Sequence, residues 1–160
     1  MPQVWRIVKA AYARRAFDGE GARLYGGRWN SPGVRMVYTS DSLALAALEL
    51  LTQLNEPSLL PSFVAIAAEI PDDAVRETKP GELPAHWRSH PAPPELQALG
   101  DAWARSRASL ALRVPSAIVP RQSNFLLNPE HPDLAKLKTR RPEPFDFDLR
   151  LLRRDRSREP

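Results

Sequence analysis

The chain has 160 residues and no cysteine, with 42% hydrophobic and 26% charged residues, a composition typical of one globular domain. The missing cysteines exclude disulfides and thiolate metal sites. No apolar run reaches the roughly 18 residues that a membrane-spanning helix needs, and Met1–Arg6 lacks the layout of a signal peptide. We therefore expect a cytoplasmic protein with no membrane partner.

The formal net charge of +4 lies in residues 136–160, because residues 1–135 contain equal numbers of basic and acidic residues. Its arginine-rich end, residues 153–160, suits contact with nucleic acid or an acidic partner. No aromatic residue interleaves these arginines to stack on bases. A solvated, flexible terminus is the simpler interpretation.

The first part of the chain predicts two strands on either side of a glycine-rich loop. β-Branched and aromatic residues predict a strand over Val4–Val8 and another over Val34–Thr39, with a short helix near Ala10–Ala16. Between the strands, the loop Leu24–Gly33 places Arg28 after two glycines and before a Trp-Asn-Ser-Pro-Gly turn. A guanidinium in such a loop suits a phosphate or carboxylate. The sequence leaves open whether this is an anion site or a surface turn with a solvated arginine.

The strongest predicted helix runs from Ser42 to Leu54, with N-cap residues before it. It is apolar almost all round, and Ser42, Glu49 and Gln53 share one sector of roughly 40°. Glu49 is thus the single carboxylate of a narrow polar stripe. Either the stripe faces water, or it lines a cleft where Glu49 has polar partners.

The second part predicts strands and one further helix, out of strict alternation, which indicates an α+β fold. The predicted elements are strands at Ser62–Ile70 and Val75–Thr78, a proline-rich loop at 79–95, a helix over Glu95–Leu112 broken or kinked at Gly100, strands at Ala117–Val119 and Asn124–Leu127, a helical turn at Asp133–Leu137 and an edge strand at Phe145–Leu151.

Several common motifs are incomplete. Gly19-Glu-Gly21 lacks the third glycine of a dinucleotide fingerprint, and there is no P-loop and no Gly-x-Ser-x-Gly elbow. His86 and His90 are four residues apart, but the metalloprotease glutamate is absent and prolines flank them. We expect no metal.

Six blocks, in order through most of residues 4–150, resemble the RES-domain toxins of bacterial toxin–antitoxin pairs, a family named for arginine, glutamate and serine. The blocks are Trp5–Ile7, Gly26–Asn30, Val37–Thr39, Ala47–Glu49, Val114–Ile118 and Ser123–Pro129. The resemblance implies a single domain over residues 1–152, and the tail 153–160 lies outside it.

The resemblance also implies a fold and an activity. The fold would be ADP-ribosyltransferase-like, with short mixed sheets and flanking helices around an NAD cleft. Such toxins arrest growth by degrading NAD+ through hydrolysis or phosphorolysis, and one branch resembles protein ADP-ribosyltransferases instead. The implied partner is an antitoxin with a helix-turn-helix domain, through which any DNA contact would be made.

By motif, the family's catalytic residues fall on Arg28, Glu49 and Ser123. The resemblance assigns NAD+ binding to five positions, Arg6, Arg28, Tyr38, Ser123 and the adjacent Asn124. The arginines would clamp phosphate and the tyrosine would stack on nicotinamide or its ribose. Glu49 would accept from a ribose hydroxyl and stabilise the developing cation, with the serine and asparagine bonding the nicotinamide ribose or amide.

Three hypotheses follow. The chain consumes NAD+ with water or phosphate as acceptor, or transfers ADP-ribose to a protein, or binds nucleic acid through its tail without catalysis. The sequence does not identify the acceptor.

Overall fold

The structure is a computed structural model that describes residues 1–54 and 60–152. The predicted basic tail, residues 153–160, lies outside the described residues. The strands are β1 (Gln3–Lys9), β2 (Val37–Ser40), β3 (Phe63–Glu69), β4 (Val75–Glu77), β5 (Ala111–Pro115), β6 (Ser123–Leu127), β7 (Lys138–Thr139) and β8 (Glu143–Phe145). The α-helices are α1 (Glu20–Tyr25), α2 (Leu43–Leu51) and α3 (Pro94–Ser106). Short 3-10 helices cover Ala10–Arg15, Asp72–Ala74, Pro80–Glu82, Pro132–Lys136 and Leu149–Leu152.

Within the described ranges the strands form one mixed sheet in the order β4-β5-β6-β2-β1-β3-β7, with β8 also paired to β3. The β4–β5 pair is parallel, and the other pairs are antiparallel. Helices flank this sheet without alternating with its strands. The predicted α+β class is confirmed.

The register of the central strands fixes which side chains share a face. Trp5 of β1 lies opposite Ser40 of β2, and Ser40 lies opposite Asn124 of β6. Since side chains alternate along a strand, Tyr38 and Ser40 point to the same face as Asn124, and Ser123 points to the other. This face carries most of the polar groups described below.

Each face of the sheet buries an apolar cluster. One consists of Val4, Val37, Ala68, Ile70, Ala74, Leu110, Ala111, Phe125 and Leu127. The other joins the sheet to α3 and to the glycine-rich loop and consists of Trp29, Met36, Leu96, Trp103, Ala104, Leu112, Val114 and Leu126.

The predicted helix over Glu95–Leu112 is wrong in two respects. The helix α3 runs through Gly100 without a break and ends at Ser106. Position 100 requires glycine because its Cα lies against the Trp29 carbonyl, where an added Cβ would overlap the oxygen. The last two residues of the predicted helix, Ala111 and Leu112, instead begin β5. In this strand Leu112 and Val114 face α3.

Two predicted strands also differ from the structure. Ala117–Val119 lies in a bend after β5, where the Ser116 hydroxyl binds the backbone. Of Phe145–Leu151, only the first residue belongs to β8, because Asp148 accepts from the Arg150 backbone and starts a turn. Phe147 packs edge-on against Phe63 and the β8 phenylalanine.

Candidate functional site

The carboxylate of Glu49 is bound by two side chains from distant parts of the chain. Ser42 caps α2 by accepting from the Leu45 amide at 3.1 Å, which fixes the helix that carries Glu49. The Oε1 atom of Glu49 accepts from Ser116 Oγ at 2.8 Å and from Asn124 Nδ2 at 2.6 Å. Of the polar stripe, Glu49 therefore faces partners on β6 and on the segment after β5, whereas Gln53 is exposed.

Ser116 is a site residue that the sequence analysis did not single out. It is fully buried, and its Oγ accepts from the amides of Ile118 and Val119, each at 3.1 Å. Because both lone pairs are occupied, the hydroxyl proton points at Glu49. The available signal was the serine within the block Val114–Ile118, which lies 67 residues from Glu49.

The side-chain amide of Asn124 is oriented by a hydrogen bond to its oxygen atom. Its Oδ1 accepts from Ser40 Oγ at 2.8 Å, so the amide nitrogen is directed at Glu49. The predicted residues Glu49 and Asn124 are thus brought into direct contact.

Arg28 lies in a tight turn that Gly27 and Asn30 close. The Gly27 amide donates to the Asn30 carbonyl at 3.0 Å. Gly26 adopts φ +71°, and a Cβ added to Gly27 would lie 2.6 Å from the Tyr38 hydroxyl. Both glycines are therefore required by the geometry of this turn.

Tyr38 supports the turn from β2. Its hydroxyl donates to Asn30 Oδ1 at 2.6 Å and accepts from the Trp29 amide at 3.0 Å. Burial raises the pKa of Tyr38 well above its ordinary value, so the phenol is neutral. The hydroxyl is committed to holding the turn, and stacking of its ring on a ligand stays a prediction.

The guanidinium of Arg28 is tethered along one edge only. Its Nη1 donates to the carbonyls of Trp87 and Ser89, at 3.1 and 3.0 Å. Among the described residues, its Nε and Nη2 have no hydrogen-bond partner. The Nε–Nη2 edge is the fork that binds a phosphate or carboxylate in a bidentate manner.

Arg6 contacts the backbone of β2. Because it follows Trp5 on β1, its side chain starts from the face opposite Ser40. Its Nη1 donates to the Tyr38 carbonyl at 2.9 Å, and its buried Nε has no partner in the described part of the chain. Burial lowers the pKa of Arg6 to about 10, an effect that nearby Asp18 partly offsets. The group is still cationic at neutral pH, and a bound anion would stabilise that charge.

Ser123 is not brought to the Glu49 carboxylate. Its Oγ accepts from Arg113 Nε at 2.9 Å, and its amide donates to Asp41 Oδ2 at 2.9 Å. It lies on the opposite face of β6 from Asn124, as the register requires.

The two polar clusters share a face because β2 supports both. Tyr38 holds the Arg28 turn, and Ser40, two residues later, holds the Asn124–Glu49 pair. Two residues along a strand span roughly 7 Å. The arrangement combines an oriented carboxylate with a cation suited to phosphate.

Within residues 1–54 and 60–152, there is no group of three or more metal-ligating side chains. In the same ranges, no helix has both the length and the apolar character to span a membrane.

Comparisons with known proteins agree with one another. A family described as the RES domain matches residues 3–148. The "Toxin Res" of Yersinia enterocolitica serotype O:8 / biotype 1B is 40% identical, over 92% of this chain and 98% of that protein. The "Prs ADP-ribosylating toxin" of a Sphingobium species is 39% identical, over 94% and 96%. Among solved structures, a chain of the M. tuberculosis MbcT-MbcA toxin-antitoxin complex superposes with a TM-score of 0.74 at 23% identity, over 89% of this chain and 83% of that one.

Proposed function

This chain belongs to the RES-domain family of toxins, and we propose that it acts by cleaving the nicotinamide–ribose bond of NAD+. The observation that carries the proposal is the Glu49 carboxylate, which Ser116 and Asn124 orient through one oxygen. Its other oxygen, Oε2, has no hydrogen-bond partner among the described residues. That oxygen is available to a ribose hydroxyl.

Cleavage of the nicotinamide–ribose bond requires a stabilising anion rather than a general acid. When the C–N bond breaks, its electron pair neutralises the positively charged nicotinamide, so no proton needs to be delivered to the leaving group. The ribose carbon passes through an oxocarbenium-like state. A fixed carboxylate stabilises that positive charge and orients the ribose through its hydroxyl.

Arg28 and Arg6 would bind the phosphates of NAD+. Arg28 would hold the pyrophosphate with its Nε–Nη2 edge, because Nη1 is already bound to the Trp87 and Ser89 carbonyls. Arg6 would add a second cation with its unpartnered Nε. The burial of the Arg6 Nε would strengthen its contact with a phosphate.

The molecule that accepts the ADP-ribose group distinguishes two related activities. Water or phosphate would complete NAD+ degradation, releasing ADP-ribose or its phosphate. The alternative is a protein nucleophile, which the name of the Sphingobium relative, an ADP-ribosylating toxin, favours. Both activities use the same bond cleavage and the same carboxylate.

We also propose an antitoxin partner with a helix-turn-helix domain. The fold likeness to a chain of a toxin–antitoxin complex supports an antitoxin partner, and the helix-turn-helix domain is what the resemblance of the motif blocks implies. An antitoxin that covers the surface around Arg28 would block NAD+ entry.

The test is to incubate the purified chain with NAD+, with and without phosphate, and with a bacterial extract, then identify products by mass spectrometry. Free nicotinamide should appear in every arm. ADP-ribose, its phosphate or modified protein identifies the acceptor as water, phosphate or protein. NAD+ that stays intact in all arms would refute the proposal.

A further inference from the structure

We propose that helix α3 sets the position of Arg28, with Gln97 and Asp101 as positioning residues for the phosphates of the substrate. This inference rests on the proposed NAD+ cleavage. It assigns a role to residues that neither the sequence motifs nor the family likeness singled out.

Gln97 clamps both ends of the Arg28 turn. Its Nε2 donates to the Gly27 carbonyl at 3.0 Å and to the Asn30 carbonyl at 3.2 Å. The Asn30 carbonyl also accepts from the Gly27 amide that closes the turn. One side-chain amide therefore ties the turn to the helix at both of its ends.

Asp101 binds the residue that follows the turn. It is 5% exposed, and its Oδ1 accepts from the Ser31 amide at 2.9 Å. Between these contacts, the bare Cα of Gly100 lies against the Trp29 carbonyl. Residues 97, 100 and 101 share one face of a helix, so a single stripe of α3 contacts the whole turn.

Helix α3 is anchored by apolar packing. Leu96, Trp103 and Ala104 are buried against the sheet. Such packing holds the stripe in one position relative to β2 and β6.

Arg28 is thus fixed at both ends of its side chain. Its backbone is held by α3 and Tyr38, and its Nη1 by the Trp87 and Ser89 carbonyls. A long side chain that is ordered before binding loses less conformational entropy when it takes up a phosphate. Loosening the backbone end should weaken substrate binding without changing the carboxylate that acts on the ribose.

The experiment is a double-mutant cycle in steady-state NAD+ cleavage. Gln97→Met keeps the length of the side chain and removes the donor. We expect KM for NAD+ to rise roughly five- to tenfold with kcat within about twofold. In an Arg28→Ala background, the same change should alter KM by less than about twofold, because the residue acts through Arg28.

Asp101→Ala and Asp101→Asn extend the test. The alanine variant should raise KM by a similar factor, and the asparagine variant, which retains an acceptor oxygen, should restore much of the affinity. Ser109→Ala removes a buried hydrogen bond at the far end of the helix and should leave KM unchanged. An equal rise in KM for Gln97→Met in both Arg28 backgrounds would overturn the inference.

Amide hydrogen exchange tests whether α3 holds the Arg28 turn independently of any NAD+ cleavage. The amides of Gly27 and Ser31 should exchange faster in Gln97→Met and Asp101→Ala than in Ser109→Ala. If the wild-type chain left NAD+ intact, the proposed function would fail while the exchange comparison still decided whether α3 holds the turn. Unchanged exchange would refute the positioning role whatever the activity.

Discussion

Glu49 is held through one oxygen, since the two hydrogen bonds that its side chain accepts from described residues end on Oε1. Ser116 and Asn124 lie 67 and 75 residues away in sequence, so no local pattern encodes these contacts. The helical periodicity around Glu49 predicted its polar stripe, and the family likeness predicted its importance. Neither identified Ser116, because the residues after it predicted a strand and its contact with Glu49 spans 67 residues.

The two serines give a direct test at residue scale. Ser116→Ala removes a hydrogen bond to the carboxylate and leaves two amides without an acceptor, so kcat for NAD+ cleavage should fall roughly tenfold or more. Ser123→Ala removes a contact with Arg113 and should change kcat by less than about threefold. The reverse order would restore Ser123 to the catalytic role predicted from the motif.

Tyr38 connects stability to the Arg28 turn. Tyr38→Phe leaves the Trp29 amide and Asn30 Oδ1 unpaired, and the free energy of unfolding should fall by about 1–3 kcal/mol. Tyr25→Phe is the control, since Tyr25 is 85% exposed. Denaturant titration measures both, and equal stabilities would contradict the account.

The comparison of wild type with Tyr38→Phe also predicts how the unfolding free energy depends on pH. Because burial raises the pKa of Tyr38 in the folded state, the unfolded chain releases that proton first, at about pH 10. The stability that the hydroxyl contributes is therefore complete below this pH and declines as the pH rises further. The difference in unfolding free energy between wild type and Tyr38→Phe should shrink above about pH 10.

At the scale of elements, strands with strong local patterns were predictable. β1, β3 and β6 were predicted within one or two residues of their ends, as was the N-cap of α2. The failures occur where tertiary contacts override local signals. Gly100 indicated a break in the helix, yet it is a contact point for the Trp29 carbonyl, and contact across 71 residues is not a local property.

Two glycines in two helices test that explanation. Gly100→Ala should lower the free energy of unfolding by about 3 kcal/mol, because the new methyl group overlaps the Trp29 carbonyl. Gly21→Ala, in α1, meets nothing within 4 Å and should be neutral or stabilising by up to about 1 kcal/mol. Thermal unfolding of the two variants decides the matter, and equal stability would show that Gly100 makes no close contact.

For the whole molecule, the fold places the Arg28 turn and the Glu49 carboxylate on one face of one sheet. β2 carries the supports of both, while α3 holds the turn and α2 carries the carboxylate. The basic residues 153–160 lie outside the described residues, and we assign them no role in NAD+ cleavage. The hypothesis of a non-catalytic nucleic-acid binder assigns them the activity instead.

The most direct measurement is the rate of NAD+ loss with purified wild-type chain, Glu49→Gln, and a chain lacking residues 153–160. Glu49→Gln keeps the shape of the side chain and removes its charge, so the rate should fall on the order of 100-fold or more. Glu143→Gln, an exposed position on β8, and the shortened chain should both match wild type. NAD+ loss that is undiminished in Glu49→Gln, or abolished by removing the tail alone, would contradict the account.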